Sequence, residues 1–261
     1  MHGSIHLPQV RQAFKPRGSR NTAAIVVGVV SLAILVLVAV GGGPAQVGTT
    51  LVTGGMWALM AIGLSLIFGV MNIPHFAHGE SFMVGSYSAW FVFTPISNHL
   101  ATNPNRFLSA VAPFIAMGAA AAVGALVGVL LERTLFAALR HRTKEGWVMN
   151  AFLMTAGLSF VMTNGATLVL GPDYRGVPQY WDVPPAELLG VRFPVDRLIA
   201  FAVALVVILL VWLFLQRTRT GRAIRAVSQD ETGAQLVGID LDRIQLLTIG
   251  LSAALAGIAG A

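Results

Sequence analysis

The run Gly54–Trp90, GGMWALMAIGLSLIFGVMNIPHFAHGESFMVGSYSAW, is apolar over a length of about two membrane widths. It is interrupted once, at Asn72-Ile73-Pro74-His75-Phe76-Ala77-His78-Gly79-Glu80. Pro74 lacks a backbone N–H and clashes with the preceding turn, and Gly79 is conformationally permissive, so no straight helix is expected through this segment. Asn72, His75, His78 and Glu80 make the interruption dense in polar groups. In a bilayer, non-helical backbone and ionisable side chains persist only where protein buries them or a water-filled cavity satisfies them. The residues leave two readings open: a cytoplasmic turn between two spans, or a broken helix lining a substrate path. A metal cluster of His75, His78 and Glu80 is a weaker third reading, because Pro74 spoils the helix that would align the ligands.

The remainder of the chain supports a membrane setting. Of 261 residues, 56% are hydrophobic and 11% charged, against about 25% charged in soluble domains. The apolar runs are long and do not alternate, which excludes a transmembrane barrel and leaves an all-α polytopic fold. There are no cysteines, hence no disulfide, thiolate metal site or thiol nucleophile. The net charge of +6 reads as basic cytoplasmic loops, and no aromatic-basic interleaving suggests nucleic acid.

Residues 1–21 form a basic, Pro- and Gly-containing arm with Arg11, Lys15, Arg17 and Arg20, read as cytoplasmic; residues 22–261 read as the transmembrane domain. Thr22–Val40 is a first span ending at Gly41-Gly42-Gly43-Pro44. It is long for the 7–15-residue core of a signal peptide, so cleavage after it is the lesser alternative. Further spans are expected over Gly48–Val70, Ser81–Phe93, Phe107–Leu131, Val148–Leu170, Arg197–Leu215 and Ile244–Ala261, about seven in all, with a short polar loop at Pro95–Arg106. Gly124 and Gly128 form a G-x-x-x-G pair that allows close helix approach, most simply within the chain. Thr155, Ser159, Thr163 and Asn164 form a polar stripe at near-helical spacing, expected to face other helices. Gly171–Asp196 is a longer loop whose Tyr174, Tyr180 and Trp181 suit a membrane interface. All of the 17 Lys and Arg residues except Arg106, Arg175, Arg192 and Arg197 fall in alternate loops, which predicts a cytoplasmic N-terminus.

The largest basic loop, 216–243, contains Thr220–Arg243, TGRAIRAVSQDETGAQLVGIDLDR. Gly221, Gly233 and Gly238 punctuate short helix-forming runs, with Gly221 and Gly238 expected at the helix ends. Ile224, Val227 and Leu236 supply apolar contacts, Arg222, Arg225, Asp230 and Glu231 supply charge, and Asp230 is expected to hold the turn at 231–233. Such a helix can lay Ile224 and Val227 into a partner's groove; the plainer reading is a solvated loop. At the interruption, Glu80 and His78 are expected to pair, since an isolated charge in a membrane is costly.

Both stretches resemble one family. The segment from Gly54-Gly55-Met56-Trp57-Ala58-Leu59 through Ala61-Ile62-Gly63-Leu64-Ser65-Leu66-Ile67-Phe68-Gly69-Val70-Met71-Asn72, the centre Asn72–Glu80, then Gly85 and Tyr87, is similar to the inner-membrane permease of branched-chain amino-acid ABC transporters, the LivH type. The loop residues Gly221, Arg225-Ala226, Asp230, Ala234, Leu236, Gly238-Ile239 and Asp242-Arg243 match in the same order. The resemblance covers about residues 48–261 and excludes the basic arm.

The resemblance implies a multi-pass subunit of the bacterial inner membrane that performs transport and not catalysis. It implies pairing with a second, related permease, two cytoplasmic ATPase subunits below, and an extracytoplasmic substrate-binding protein above. Asn72, His75, His78 and Glu80 would line the translocation path. Gly221, Ile224, Arg225, Val227, Asp230 and Gly238 would couple to the ATPases. No G-x-x-x-x-G-K-[ST] occurs, so the chain is expected to bind no cofactor itself and to leave ATP to its partners. Related permeases carry urea or short amides, which is the nearest alternative. An intramembrane enzyme using His75, His78 and Glu80 is the more distant one, with no second cluster to complete an acid–base set. Family members continue with further spans, so the chain is expected to be truncated at its C-terminus.

Overall fold

A computed structural model of the chain describes residues 18–143, 146–173, 175–176, 183–188 and 191–261. Arg11, Lys15 and Arg17 of the basic arm, Lys144, and the loop aromatics Tyr174, Tyr180 and Trp181 lie outside the described residues. The described elements are α1 (Gly18–Met71), α2 (His78–Thr102), α3 (Arg106–Leu131), a single π-helical turn (Glu132–Phe136), α4 (Ala137–Arg142), α5 (Trp147–Leu170), a hairpin of β1 (Ala186–Leu188) and β2 (Val191–Phe193), α6 (Val195–Arg217), α7 (Arg219–Gln229), α8 (Glu231–Leu236) and α9 (Leu241–Gly260). The hairpin is antiparallel with Ala186 opposite Phe193. The chain is an all-α polytopic membrane protein.

Among the described residues six helical segments are long and apolar enough to cross a membrane: Ile25–Gly43, Gln46–Met71, Arg106–Arg140, Trp147–Leu170, Val195–Arg217 and Leu241–Gly260. They correspond to six of the seven expected spans. The seventh, α2, is long enough but carries Glu80, Ser81, Ser86 and Ser88 on its length. The expected polar loop at 95–106 is a correction: α2 continues through Pro95 to Thr102, and only residues 103–105 connect it to α3. Beyond Pro95 the helix carries Ile96, which packs partly buried on the cluster that Ala89 and Phe93 form with Ala112, Ala116 and Ala120 of α3. Asn105 then caps α3, its side-chain oxygen accepting from the backbone N–H groups of Phe107 and Leu108.

Residues 1–49 and 50–261 are separate compact units. In the first, Gly43 (φ 72°, ψ −178°) interrupts the helix, and Ile25, Val27, Leu32, Leu37 and Val40 are all exposed, as side chains solvated by lipid would be.

The second unit is built on backbone contact between small residues. In α3 the buried positions Ala112, Ala116, Ala120, Gly124 and Gly128 recur every fourth residue and form one narrow stripe. Against it lies α9. A Cβ on Gly124 would stand 2.5 Å from the Ala253 carbonyl oxygen, and one on Gly128 would stand 2.7 Å from the Ala253 Cβ. One on Gly257 would collide with the Ala120 carbonyl oxygen. The expected use of Gly124 and Gly128 within the chain is what the structure shows. α2 meets the same helix, since a Cβ on Gly85 would collide with the backbone of Gly257 and one on Gly260 with the Phe82 carbonyl oxygen. Two hydroxyls tie α9 further: Ser86 Oγ of α2 donates to the Gly260 carbonyl oxygen at 2.6 Å, and Ser252 Oγ donates to that of Gly63 in α1 at 2.6 Å. With lipid on the outside there is no hydrophobic drive between helices, so close van der Waals contact and interhelical hydrogen bonds hold them. Leu126, Leu130, Phe160, Leu209 and Trp212 point away from these contacts and are exposed.

These contacts predict opposite results for two chemically identical changes. Gly257→Ala is expected to destabilise the protein by about 1–3 kcal/mol, the usual cost of overpacking. Gly157→Ala in α5, where a Cβ meets nothing within 4 Å, is expected to be neutral or to stabilise by about 0.5–1 kcal/mol. Thermal unfolding of the detergent-solubilised variants checks both.

Candidate functional site

The interruption in the apolar run is a true break. α1 ends at Met71, residues 72–77 are not helical, and α2 begins at His78. Asn72 turns the chain with φ 53°, the only positive φ of a non-glycine residue among those described. Burial then alternates residue by residue: Met71, Ile73, His75 and Ala77 are buried, while Asn72, Pro74 and Phe76 are exposed. That is the period of an extended chain, imposed by Pro74 and by one wall of protein.

The break's backbone is partly satisfied from α5. The Phe76 N–H donates to Thr155 Oγ1 at 3.2 Å. Ser159 Oγ donates to Glu80 Oε1 at 2.5 Å, and Thr163 Oγ1 donates to the same oxygen at 3.4 Å. Thr155, Ser159 and Thr163 therefore form a polar stripe that faces the break and the start of α2. Asn164 does not join it; its side-chain amide donates to the Phe160 carbonyl oxygen in its own helix.

The pairing expected between His78 and Glu80 is not formed. His78 Nε2 lies 3.1 Å from the Met60 carbonyl oxygen in α1, while Glu80 is held by the α5 hydroxyls. Two helical residues apart, the side chains point in directions that differ by more than a right angle. His75 and His78 do come together, with ring centroids 6.1 Å apart. Both rings are buried and both Nδ1 atoms lack a hydrogen-bond partner in the structure. Of the four residues assigned to this region, then, His75 and His78 converge, Asn72 is exposed, and Glu80 turns to α5. The enzyme and metal readings required all three titratable groups at one point. Among the described residues no group of three or more His, Cys, Asp and Glu side chains is placed to hold a metal ion.

A groove of about 670 Å³ opens beside the histidines, with Ser65, Phe68, Pro74, His75, Phe76 and His78 in its wall. It is mostly apolar, and its polar groups are concentrated at the break. Ser65 belongs to the stretch that carries the family resemblance, but the sequence gives it no site role, because a lone serine in an apolar run is ordinary.

The second stretch folds into short helical runs with Asp230 holding the turn between them, as expected, and differs at Gly221, Ile224 and Val227. It forms two helices, α7 and α8, joined at Asp230. Thr218, not Gly221, begins α7: its hydroxyl accepts from the Gly221 N–H at 2.9 Å. Gly221 lies inside the first turn, where a Cβ would collide with the Phe214 carbonyl oxygen, so its small size serves contact with α6. Asp230 Oδ1 accepts from the Gly233 N–H at 3.0 Å and caps α8. Gly238 has φ 84° and follows the end of α8. Arg225 donates to the Gln216 side-chain oxygen at 3.1 Å.

Ile224 and Val227 are a clear correction. They are only 2% and 3% exposed. Their apolar face packs inside the chain, in a cluster with Ile67, Val70, Met71, Ile73, Phe136 and Ile244. An amphipathic pattern shows which residues share a face; it does not show whether a partner or the chain's own spans cover that face. The large apolar side chains that remain outside are Leu236 and Val237, at the end of α8, 84% and 78% exposed.

Sequence comparison identifies the architecture. Residues 46–261 match the family described as branched-chain amino acid transport system / permease component. The chain belongs to that family. Among curated relatives, the high-affinity branched-chain amino acid transport system permease protein LivH of Salmonella typhimurium is 28% identical over 79% of this chain and 66% of its own length. The corresponding permease protein BraD of Pseudomonas aeruginosa is 29% identical over 80% of this chain and 66% of its own. The ribose import permease protein RbsC of Escherichia coli is 26% identical over 78% and 56%. The chain thus spans just under two thirds of the length of the relatives first matched. No solved structure matches it significantly. The family match begins close to the boundary at residue 50 between the two compact units, and it includes the break, the groove and both helices α7 and α8.

The left-handed turn at Asn72 gives a direct test of the local geometry. Asn72→Gly is expected to leave stability unchanged within about 0.5 kcal/mol. Asn72→Val is expected to cost about 1–2 kcal/mol or more, because a β-branched residue resists positive φ. Denaturation midpoints of the two variants check this.

Proposed function

We propose that the chain is the membrane-spanning subunit of an ATP-driven importer of branched-chain amino acids. The observation that carries this reading is the family match over residues 46–261, joined to relatives whose names specify branched-chain amino-acid transport. In this reading the chain performs no catalysis and binds no cofactor. ATP is hydrolysed by two cytoplasmic ATPase subunits, a second related permease completes the membrane assembly, and an extracytoplasmic binding protein delivers the substrate. The protein lies in the bacterial inner membrane with its N-terminal arm, residues 1–21, in the cytoplasm and residues 22–261 as the permease domain.

The translocation path runs along the groove beside the break. His75 and His78 supply polar atoms there, Asn72 sets the turn, and Glu80, held by Ser159 and Thr163, fixes the start of α2. Support for this placement comes from an apolar wall suited to aliphatic side chains and from buried ring nitrogens left without partners. The loop 216–243 couples to the ATPases. Gly221, Ile224, Arg225, Val227, Asp230 and Gly238 shape and seat its two helices, and Leu236 with Val237 forms the apolar contact offered to the partner.

Two experiments test this. Ser65→Cys and Phe76→Cys, each the only thiol in the chain, are expected to react with a small water-soluble thiol reagent in the assembled transporter. If neither reacts in any state, the groove is not the path. The double change Leu236→Asp with Val237→Asp is expected to leave membrane insertion intact, because both side chains are already exposed, and to abolish co-purification of the ATPase and uptake of radiolabelled leucine. Wild-type levels of both would remove α8 from the coupling surface. Uptake of ribose in place of leucine by the wild-type assembly would move the substrate to the class named for the more distant relative.

A further inference from the structure

We infer that the π-helical turn Glu132–Phe136 is the relay that carries motion of α7 and α8 to the break, with Phe136 as its contact on His75; the inference rests on the transport reading above. Three observations meet at this turn. First, Phe136 is 1% exposed and packs in one buried cluster with Ile224 and Val227 of α7, Ala234 of α8, and Met71 and Ile73 at the break. Phe136 also touches a polar residue of the groove: its ring meets the His75 ring edge-on, with centroids 5.5 Å apart and planes at 72°.

Second, the turn is tied at its other side to the start of α9. Arg140 donates to Glu132 Oε1 at 2.7 Å and to Asp242 Oδ1 at 3.0 Å. Glu132 is buried and Asp242 is largely exposed. Asp242 belongs to the first turn of α9, a few residues after Gly238 closes α8. A displacement of α8 therefore reaches the π turn both through apolar packing and through an ion pair. Removing either carboxylate would leave the guanidinium or its partner poorly compensated.

Third, the turn is the place where the helix can change. The Ala137 N–H bonds to the Glu132 carbonyl oxygen, five residues back, instead of four. An added residue per turn locally rotates the side chains that follow, and single π turns inside helices recur at functional sites. Packed interiors transmit displacement because they have few voids, and a discrete local rearrangement supplies the two states that coupling needs. The contact of Gly221 with Phe214 leads into α6 and away from the break.

The test uses the ATP-hydrolysing complex that contains this chain, with Ser65→Cys in the groove wall as reporter. Labelling of that thiol is expected to change by about fivefold between nucleotide-free and ATP-bound complex, a coupling of typical size. In Phe136→Leu and Phe136→Met, which keep an apolar side chain of similar volume but lose the aromatic edge, the difference is expected to disappear while ATP hydrolysis and subunit assembly remain. Ile249→Val, a small loss in the same cluster away from the His75 contact, is expected to keep the full response. A thiol that never reacts defeats the path reading itself. A thiol that reacts equally in both nucleotide states, or whose response survives both Phe136 variants, overturns the relay and leaves the path reading standing. Failure of both Phe136 variants to assemble also overturns it, since a relay predicts an intact but uncoupled complex.

Discussion

Backbone-to-backbone contact of α9 with α2 and α3 is the constraint on which the rest of residues 50–261 depends. Ala120, Gly124 and Gly128 on one side and Ala253 and Gly257 on the other let two helices approach without side chains between them. Gly85 and Gly260 bring α2 to the same helix. Once α2 and α9 are placed, His78 at the start of α2 is directed at α1, where it meets the Met60 carbonyl oxygen, and Ser252 ties α9 to Gly63 nearby. The break has little room left in which to lie. Its extended backbone is a consequence of Pro74 locally and of these fixed neighbours globally.

The same packing explains why polar atoms can persist at the break. Phe76 and Glu80 receive hydroxyls from one face of α5, and Arg140 neutralises the buried Glu132 at the end of α3's continuation. Each is a case of a polar group kept among apolar surroundings by a dedicated side-chain partner. The helices that meet lipid need no such partners, and their outer faces are simply aliphatic and aromatic.

Much of this was legible in the sequence. Hydropathy located six helices because each has to fill a membrane's thickness with apolar residues, and Pro74 marked the break because no proline can donate there. The stripe Thr155, Ser159, Thr163 was visible from spacing alone. What escaped was set by tertiary contact. α2 runs past Pro95 because α3 covers its small-residue face. Gly221 is inside a helix because α6 leaves no room for a Cβ. Ile224 and Val227 grouped correctly on one face, but that face is covered by the chain itself. Phe136 and Arg140 had no signal of their own, although Glu132, an acid closing a long apolar run, was a hint that a cation had to be close.

The tip of α8 is the counterpart of the buried face of α7. Leu236 and Val237 protrude from an otherwise polar segment outside the spans. Because neither side chain contributes to the buried cluster beneath α7, this tip can change in sequence without disturbing the chain's own packing.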